Sequence, residues 1–380
     1  MSDYLPVEVI IDVLKWLPVE FLVKFRSVCK TWNRLFCDPS FVSAHYQASL
    51  SRPPNNTPLL LIRSSKNIED YYFLNYDNDG FDEFKQFPFH VFQRVSHFMD
   101  VGSCNGLICL LSWNRDVMNF VLWNPSIQKY VSLPPPIIVF GQRSKFGLGF
   151  DSRTNDYKLL IVGVEKDGNL IQPCLFSVNE NCWRRVAAIA PNYEVEGCIS
   201  PAFVKGAFHW LGYHERNDGA FSNKILGFDF SAEEFFEINL PESLIGLCPS
   251  DLSIMNYGES SIAVLFRVNF ESNECWMMKE YGVVESWTKV FVFQTFRGWY
   301  PPTLAFRNNG EVILRVGFGE IALHDLNCQA IEPRGVKIGD FLLSVSNYVE
   351  SLALLDKGVD VRSFSDYAID SSGYLFLKNA

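Results

Sequence analysis

The chain has 380 residues, of which 48% are hydrophobic and 20% charged, a composition typical of a folded protein with a large core and not of a disordered chain. The net charge of −10 disfavours nucleic acid and anionic membranes as partners. No apolar run approaches the roughly 20 residues that span a bilayer, and the N-terminal sequence MSDYLPVEVI lacks the basic segment of a secretory signal.

These exclusions predict a protein of the cytoplasm, the nucleus or both. Its ten cysteines are then expected to be thiols. Because their spacings contain no Cys-x-x-Cys pair, the sequence does not predict a structural zinc site, and we expect neither a metal nor another cofactor.

The first 50 residues show a helical period. Ile10 and Leu14 lie one turn apart, and a second apolar stripe runs for four turns from Leu22 to Phe36. The string LPVE begins both stripes, and proline suits the first helical position because its missing N–H needs no partner there. A third helix is predicted to start at Asp38, a residue type that caps helices. Three short helices make a poor independent core, so the stripes either pack internally or face another protein.

The segment from Leu5 to Gln47 resembles an F-box. The family pattern is a Leu-Pro, an Ile/Leu helix, a second Leu-Pro, then Val-Cys-Lys-x-Trp and a trailing Phe, and the chain carries these motifs at residues 5–6, 17–18, 28–32 and 41. In the family this unit binds the Skp adaptor of a cullin-based ubiquitin ligase, and through it the cullin and RING subunits. The resemblance implies adaptor contacts by Trp32, which equally suits the core, and by Leu5, Pro6, Ile10, Leu14, Leu17, Pro18 and Leu22. It also includes His45, which we expect to be structural.

Beyond residue 50 the helical period disappears. Residues 51–57 are predicted to be a linker, and short Val, Ile, Leu, Phe and Tyr runs then alternate with turn residues, the pattern of β-strands. A turn followed by an apolar run recurs from residues 105, 155, 205, 259 and 309, which are 50, 50, 54 and 50 residues apart. Four strands per unit at a period near 50 predict a kelch-like β-propeller.

The propeller is predicted to have about six blades. Five full units run from Met99 to about Gly335, and Pro58–Asp77 forms an incomplete unit without its first strand. We predict that Asn347–Leu355 supplies that strand and closes the ring. The predicted fold is thus mainly β, with a three-helix F-box at 1–50, a linker at 51–57, a propeller at 58–355 and a polar C-terminal extension at 356–380.

Part of the propeller also resembles the plant F-box-associated domain. The resembling strings include SCNGLICL, LWNPSIQKYVSLP, GLGFDSRTNDYKLL and GAFHWL, within residues 100–241. In that family the domain follows an F-box and is regarded as the substrate-recognition half. The resemblance implies a non-catalytic substrate-recognition subunit of an SCF-type (Skp–cullin–F-box) E3 ubiquitin ligase, which holds a target protein near the ubiquitin-charged enzyme. A scaffold that binds the adaptor without assembling a ligase remains an alternative.

The loops between the second and third strands of each unit are predicted to share one rim of the propeller. They are Trp113–Asn119, Glu165–Asn169, Tyr213–Asn223, Asn269–Glu274 and Gly317–Gly319. Unlike loops on a rigid ring suit a binding surface, and aromatic and arginine side chains often anchor interfaces. Taken singly, each candidate is more simply explained as part of an ordinary solvated turn; the predicted target-binding residues are Trp113, Arg115, Tyr213, His214, Arg216 and Phe270.

The string Gly-Ser-Cys-Asn-Gly around Cys104 matches the cysteine form of the Gly-x-Ser-x-Gly nucleophile elbow, so a propeller enzyme that uses Cys104 is the competing function. An elbow requires a helix after the nucleophile, whereas the run LICLLSW after Gly106 is typical of a strand. Because Asn-Gly favours tight hairpins, we predict that Asn105-Gly106 is a turn, that Cys104 ends a strand, and that the protein is not an enzyme.

Overall fold

A computed structural model describes residues 6–51, 58–66, 69–87, 98–114, 117–137, 144–164, 170–188, 190–191, 193–194, 202–258, 260–269, 272–294, 302–307, 309–326, 330–338, 340–357, 359–360, 367–369 and 375–377. Its α-helices are α1 (Val7–Leu14), α2 (Val19–Phe25), α3 (Lys30–Cys37), α4 (Pro39–Leu50) and α5 (Glu242–Ile245).

The N-terminal unit contains four helices, so the prediction of three was wrong. The second apolar stripe breaks at Cys29, whose backbone is extended (φ −159°) and whose Sγ accepts a hydrogen bond from the N–H of Trp32 as the N-cap of α3. The predicted cap Asp38 is confirmed, since its carboxylate accepts a hydrogen bond from the N–H of Ser40 at 2.9 Å. His45 is fully buried and its Nε2 lies 2.9 Å from the Leu17 carbonyl oxygen, which ties α4 to the turn after α1.

The described strands between residues 59 and 348 form a six-bladed β-propeller, which confirms the predicted fold class. Blades 1 and 2 contain β1 (Leu59–Lys66), β2 (Glu69–Tyr76), β3 (Glu83–Phe87), β4 (Phe98–Cys104), β5 (Leu107–Asn114), β6 (Val117–Asn124) and β7 (Lys129–Ser132). Blades 3 and 4 contain β8 (Lys145–Asp151), β9 (Asp156–Val164), β10 (Leu170–Ser177), β11 (Cys182–Arg185), β12 (Ala202–Val204), β13 (Ala207–Glu215), β14 (Phe221–Asp229) and β15 (Glu234–Asn239). Blades 5 and 6 contain β16 (Leu252–Tyr257), β17 (Ser261–Arg267), β18 (Ser272–Met278), β19 (Trp287–Gln294), β20 (Thr303–Phe306), β21 (Val312–Val316), β22 (Glu320–His324) and β23 (Ile331–Lys337).

The C-terminal part of the chain closes the ring. The strand β24 (Phe341–Tyr348) pairs antiparallel with β1 and completes blade 1. The predicted closing strand, Asn347–Leu355, was therefore displaced: the chain leaves the sheet after Tyr348. Beyond it, β25 (Val359–Asp360) adds to the edge of blade 2 by pairing with β7, and β26 (Tyr367–Ile369) pairs with β27 (Leu375–Leu377).

Neighbouring blades pack closely because glycines on the inner strand of blade 3 leave room for rings of blade 4. A Cβ atom at Gly147 would lie 2.3 Å from the Phe208 ring, and one at Gly149 would lie 2.1 Å from the Phe230 ring. Both distances are far below contact distance, so only glycine allows these rings to lie on the backbone of β8. The string GLGF is thus a packing motif between blades.

Buried ion pairs add to these contacts. Lys158 Nζ of blade 3 lies 2.7 Å from Asp151 Oδ2 and 2.8 Å from Glu233 Oε1 of blade 4. Between blades 6 and 1, Arg307 Nε lies 2.5 Å from Asp77 Oδ1. A buried charge that loses its partner costs several kcal/mol (about 3–5), so these pairs fix how the blades meet.

Candidate protein-binding surfaces

An apolar stripe faces solvent on the helical unit. Val9, Val13 and Trp16 follow one another at i, i+4 and i+7, so they share one face of α1 and the turn after it, and they are 43%, 60% and 46% exposed. Lys15 lies beside this stripe in an ion pair with Asp12 (2.7 Å). Exposed apolar side chains grouped on one helix face are a candidate interaction site.

The opposite face of α1 is internal. Leu14 is 5% exposed and Leu22 is fully buried, and both belong to the cluster that contains Phe36 and Phe41. Both were predicted as adaptor contacts, but as folded they offer no surface to a partner, because their side chains fill the core of the helical unit. Trp32 is half-buried between other rings, with centroids 5.7 Å from Phe25 and 6.0 Å from Phe36.

The side chains of the other predicted adaptor residues that the structure describes are exposed or half-buried. Pro6 is exposed, whereas Ile10, Leu17 and Pro18 are half-buried. Leu5 lies outside the described residues. Sequence reasoning missed the outward stripe because both faces of VEVIIDVLKW are apolar, and the family pattern drew attention to the face that packs inward.

The helical unit is held on the propeller by the segment that follows β24, residues 349–357, which we call the return segment. Its Leu352 and Leu355 join the same core cluster as Leu14 and Leu22, together with Ile127 from the turn between β6 and β7. Leu352 is fully buried and Leu355 is 1% exposed. The C-terminal part of the chain therefore completes the core of the N-terminal helices.

Asn124 fixes the return segment to blade 2. Its Nδ2 donates hydrogen bonds to the carbonyls of Ser351 (2.9 Å) and Ala353 (2.8 Å). Its Oδ1 accepts hydrogen bonds from the N–H of Ser126 (3.0 Å) and from the Tyr348 hydroxyl (3.4 Å). All four hydrogen-bonding positions of this fully buried amide are therefore used.

Within the described turns, the helical unit contacts one face of the ring. The strands in each blade run antiparallel. The turns that join the first strand to the second and the third strand to the fourth therefore lie on one face of the ring, and the turns that join the second strand to the third lie on the opposite face. Asn155, in a first-to-second turn, donates from Nδ2 to the Pro39 carbonyl at 3.4 Å, and Ile127 lies in a third-to-fourth turn. The opposite face carries the predicted target-binding rim.

Two of the predicted rim loops are shorter than expected, because the strands on either side continue to pair. Trp113 lies on β5 opposite Met118, and Tyr213 lies on β13 opposite Asn223. Arg216 lies in the remaining turn of blade 4, residues 216–220. Arg115 and Phe270 lie outside the described residues.

Tyr213 and His214 lie on β13 of blade 4, and Arg216 lies in the turn that follows this strand. Tyr213 exchanges two backbone hydrogen bonds with Glu194, and its hydroxyl donates to Glu194 Oε2 at 3.2 Å. The exposed His214 ring stacks on Tyr193 with centroids 4.0 Å apart and planes 28° apart. Arg216 is exposed beside this pair in sequence, 3.4 Å from Asp218. Sequence reasoning missed Tyr193, which precedes blade 4 in an irregular connection.

Phe318 is a rim residue that the sequence analysis did not single out. It is the central residue of the predicted loop Gly317–Gly319 and is 67% exposed, the largest value among the exposed large hydrophobic residues described. Its ring lies 6.2 Å from that of Phe341 on the inner strand β24. A phenylalanine at the tip of a Gly-x-Gly hairpin was the available signal, because such tips normally carry polar residues.

Cys104 has the surroundings of a packed core thiol. It ends β4, and the next two residues have φ of 46° and 77°, which confirms the predicted Asn105-Gly106 hairpin turn into β5. Cys104 is 5% exposed, and burial raises the pKa of its thiol far above the usual value. A nucleophilic cysteine instead needs an exposed sulfur with a lowered pKa.

No helix among the described residues is long and apolar enough to cross a membrane. In the same part of the chain, no three His, Cys, Asp or Glu side chains converge closely enough to hold a metal ion.

Comparison with known proteins identifies both parts of the chain. Residues 3–43 match the F-box domain, and residues 81–314 match the F-box associated beta propeller domain. The F-box protein CPR1 of Arabidopsis thaliana is 26% identical over 93% of this chain and 90% of its own length. An F-box/kelch-repeat protein of the same plant is 23% identical over 75% of this chain and 78% of its own length. Among solved structures, TolB from Acinetobacter baumannii has a TM-score of 0.47 at 12% identity, covering 80% of this chain and 70% of TolB. The chain belongs to the family of F-box proteins that carry an F-box associated beta propeller domain.

Proposed function

We propose that this protein is the substrate-recognition subunit of an SCF-type ubiquitin ligase. Its F-box binds a Skp adaptor, through which it joins the cullin and RING subunits, and its propeller binds a target protein. The protein contributes proximity and no chemistry of its own, since a target held close to the ubiquitin-charged enzyme reacts at a raised effective concentration. We further propose that it acts in the cytoplasm, the nucleus or both.

The exposed stripe of α1 carries this proposal. Val9, Val13 and Trp16 lie on the side of α1 away from the core that Leu14 enters. Burying a side chain of this size stabilises a complex by about 1.5–3 kcal/mol. We therefore assign the adaptor contact to this stripe and the adjacent Pro6, with the half-buried Ile10 beside them.

The adaptor assignment is tested by co-purification with a plant Skp protein. The double variant Val13→Asp plus Trp16→Asp is expected to fold normally, because both side chains are exposed, and to lose adaptor binding by at least about tenfold. Val292→Asp is the matched control: Val292 is 41% exposed on β19, in blade 5. Equal adaptor recovery with the double variant and the control would refute the proposed contact.

The target contact is assigned to the propeller face opposite the F-box. The described residues offer two anchors there, namely Phe318 on blade 6 and the stacked Tyr193–His214 pair on blade 4. Phe318→Ala is expected to lower ubiquitination of the target in cells while adaptor binding is unchanged. Phe84→Ala is the control, since Phe84 is 43% exposed but lies on the outer strand of blade 1.

In cells, we would measure the set of proteins that are ubiquitinated with the unsubstituted protein but not with the Val13→Asp plus Trp16→Asp variant. Loss of that set with Phe318→Ala, but not with Phe84→Ala, supports the assigned face. If the protein binds the adaptor but no protein loses ubiquitination when the α1 stripe is mutated, the result would favour a scaffold that assembles no ligase.

A further inference from the structure

A cleft opens between the F-box and the propeller. Its volume is about 120 Å³, and α4, blade 3 and the return segment line it. Across it, the hydrogen bond of 3.4 Å from Asn155 to the Pro39 carbonyl joins blade 3 to the first residue of α4. The cleft opens to solvent, so a small molecule can enter without unfolding of either part.

The lining of the cleft combines aromatic and aliphatic side chains with polar ones. On the propeller side, the rings of Phe150 and Tyr157 meet edge to face, with centroids 5.0 Å apart and planes 62° apart. The Tyr157 hydroxyl already donates to the Asn105 carbonyl at 2.9 Å, and burial raises its pKa far above the usual value, so it remains neutral. Val42 of α4 and Val178 of blade 3 add aliphatic surface.

Two neutral polar side chains of α4 line the same cleft with unused hydrogen-bonding capacity. Within the described part of the chain, neither the Ser43 hydroxyl nor the Gln47 side-chain amide makes a hydrogen bond to the protein, and both line the cleft. The charged residues on the lining, Asp356 and Lys357, are exposed and opposite in sign. The lining therefore favours a neutral ligand with at least one hydrogen-bonding group.

The volume of the cleft, about 120 Å³, is close to that needed for one aromatic ring. A protein cavity of about 150 Å³ holds a single benzene molecule, and edge-to-face contacts with Phe150 and Tyr157 favour an aromatic ring over a saturated one. We propose that this cleft binds a neutral single-ring aromatic molecule that carries one hydrogen-bonding substituent, with the ring against Phe150 and Val42 and the substituent towards Gln47. Such a ligand contacts the F-box and the propeller together, so it stabilises the joint between them.

Phenol and benzamide are the probes for this site, measured against the full-length protein by calorimetry and by ligand-detected NMR. Saturable binding is expected with a dissociation constant of about 1 mM or lower, which suits ligands of this size. Benzoate and benzamidinium, the negatively and positively charged counterparts of benzamide, are expected to bind at least about tenfold more weakly, because the lining provides no net charge.

Val42→Trp fills the cleft from α4 and is expected to weaken both probes by at least about tenfold. Val292→Trp places the same residue on blade 5, away from the cleft, and is expected to leave binding unchanged. Benzene serves as the reference ligand without a substituent. Gln47→Leu removes the amide and keeps a side chain of similar volume, so it is expected to weaken the binding of benzamide more than that of benzene. Absence of saturable binding up to about 10 mM, or equal affinity of the Val42→Trp and Val292→Trp variants, would overturn the proposal.

Discussion

Asn124→Ala is expected to loosen the joint between the F-box and the propeller. The substitution removes the two donors that satisfy the buried carbonyls of Ser351 and Ala353. Each buried polar group left without a partner costs about 1–3 kcal/mol, so two carbonyls give a loss of about 2–6 kcal/mol in the free energy of opening the return segment. Because Leu355 of that segment packs in the F-box core, the helices are expected to open with it.

Hydrogen–deuterium exchange measures this effect region by region. In the Asn124→Ala variant, residues 349–357 and α4 should exchange faster by at least about 30-fold, which corresponds to 2 kcal/mol, while blades 4 and 5 keep their protection. Asn239→Ala is the control, because Asn239 is exposed on β15 and its loss should cost less than about 0.5 kcal/mol. Unchanged exchange of the return segment in Asn124→Ala would refute the role given to this amide.

Three further predictions concern stability. Gly149→Ala should lower the free energy of unfolding by about 1–3 kcal/mol, because the new methyl group overlaps the Phe230 ring; Gly246→Ala, with no atom within 4 Å of the new methyl group, is the control in the same denaturant titration. Burial alone would raise the pKa of Asp151, but its hydrogen bond from a buried lysine lowers the pKa below the usual 3.8. The stabilisation that ionised Asp151 provides is therefore complete above about pH 4 and is lost as the pH falls towards the folded-state pKa. Asp151→Asn should accordingly be less stable than the unsubstituted protein at pH 7 and lose less stability on acidification. If the free energy of unfolding fell equally with pH in both proteins, this prediction would be wrong. A chain that ends at Tyr348 should retain propeller circular dichroism and lose protection of all four F-box helices, whereas full helical protection would show that the return segment is dispensable.

The propeller was predictable because its determinants are local and repeated. Each unit carries its own hairpin turn, such as Asn105-Gly106, and its own run of apolar strand residues, so the period of about 50 residues defined the blades. The ring closure was placed a few residues too late, since VSNYVESLALL is apolar on both sides of Tyr348. Strand pairing with β1, which lies about 280 positions earlier in the chain, decides where the sheet ends.

The candidate surfaces were harder to predict, for a physical reason. A helix with two apolar faces does not reveal by its period which face is inside, and the partner of the inner face of α1 includes Leu352 and Leu355 from the far end of the chain. In the sequence, Asn124 was noted only as part of the string LWNP. Its role could not be predicted because its hydrogen-bond partners, Ser351 and Ala353, lie far away in the chain. Contacts over such separations leave no local pattern.

The return segment also bears on how the proposed ligase subunit would work. A flexible linker would let the propeller sample many positions, so the effective concentration of a bound target near the ubiquitin-charged enzyme would fall as the linker lengthened. Here residues 351–355 are buried between the two parts, and Leu355 and Asn124 connect the F-box core to blade 2. The exposed stripe of α1, which we propose as the adaptor contact, and the rim around Phe318 would then be held at a fixed separation. Loosening the joint with Asn124→Ala should therefore reduce target ubiquitination even where adaptor binding and target binding, each measured alone, are retained.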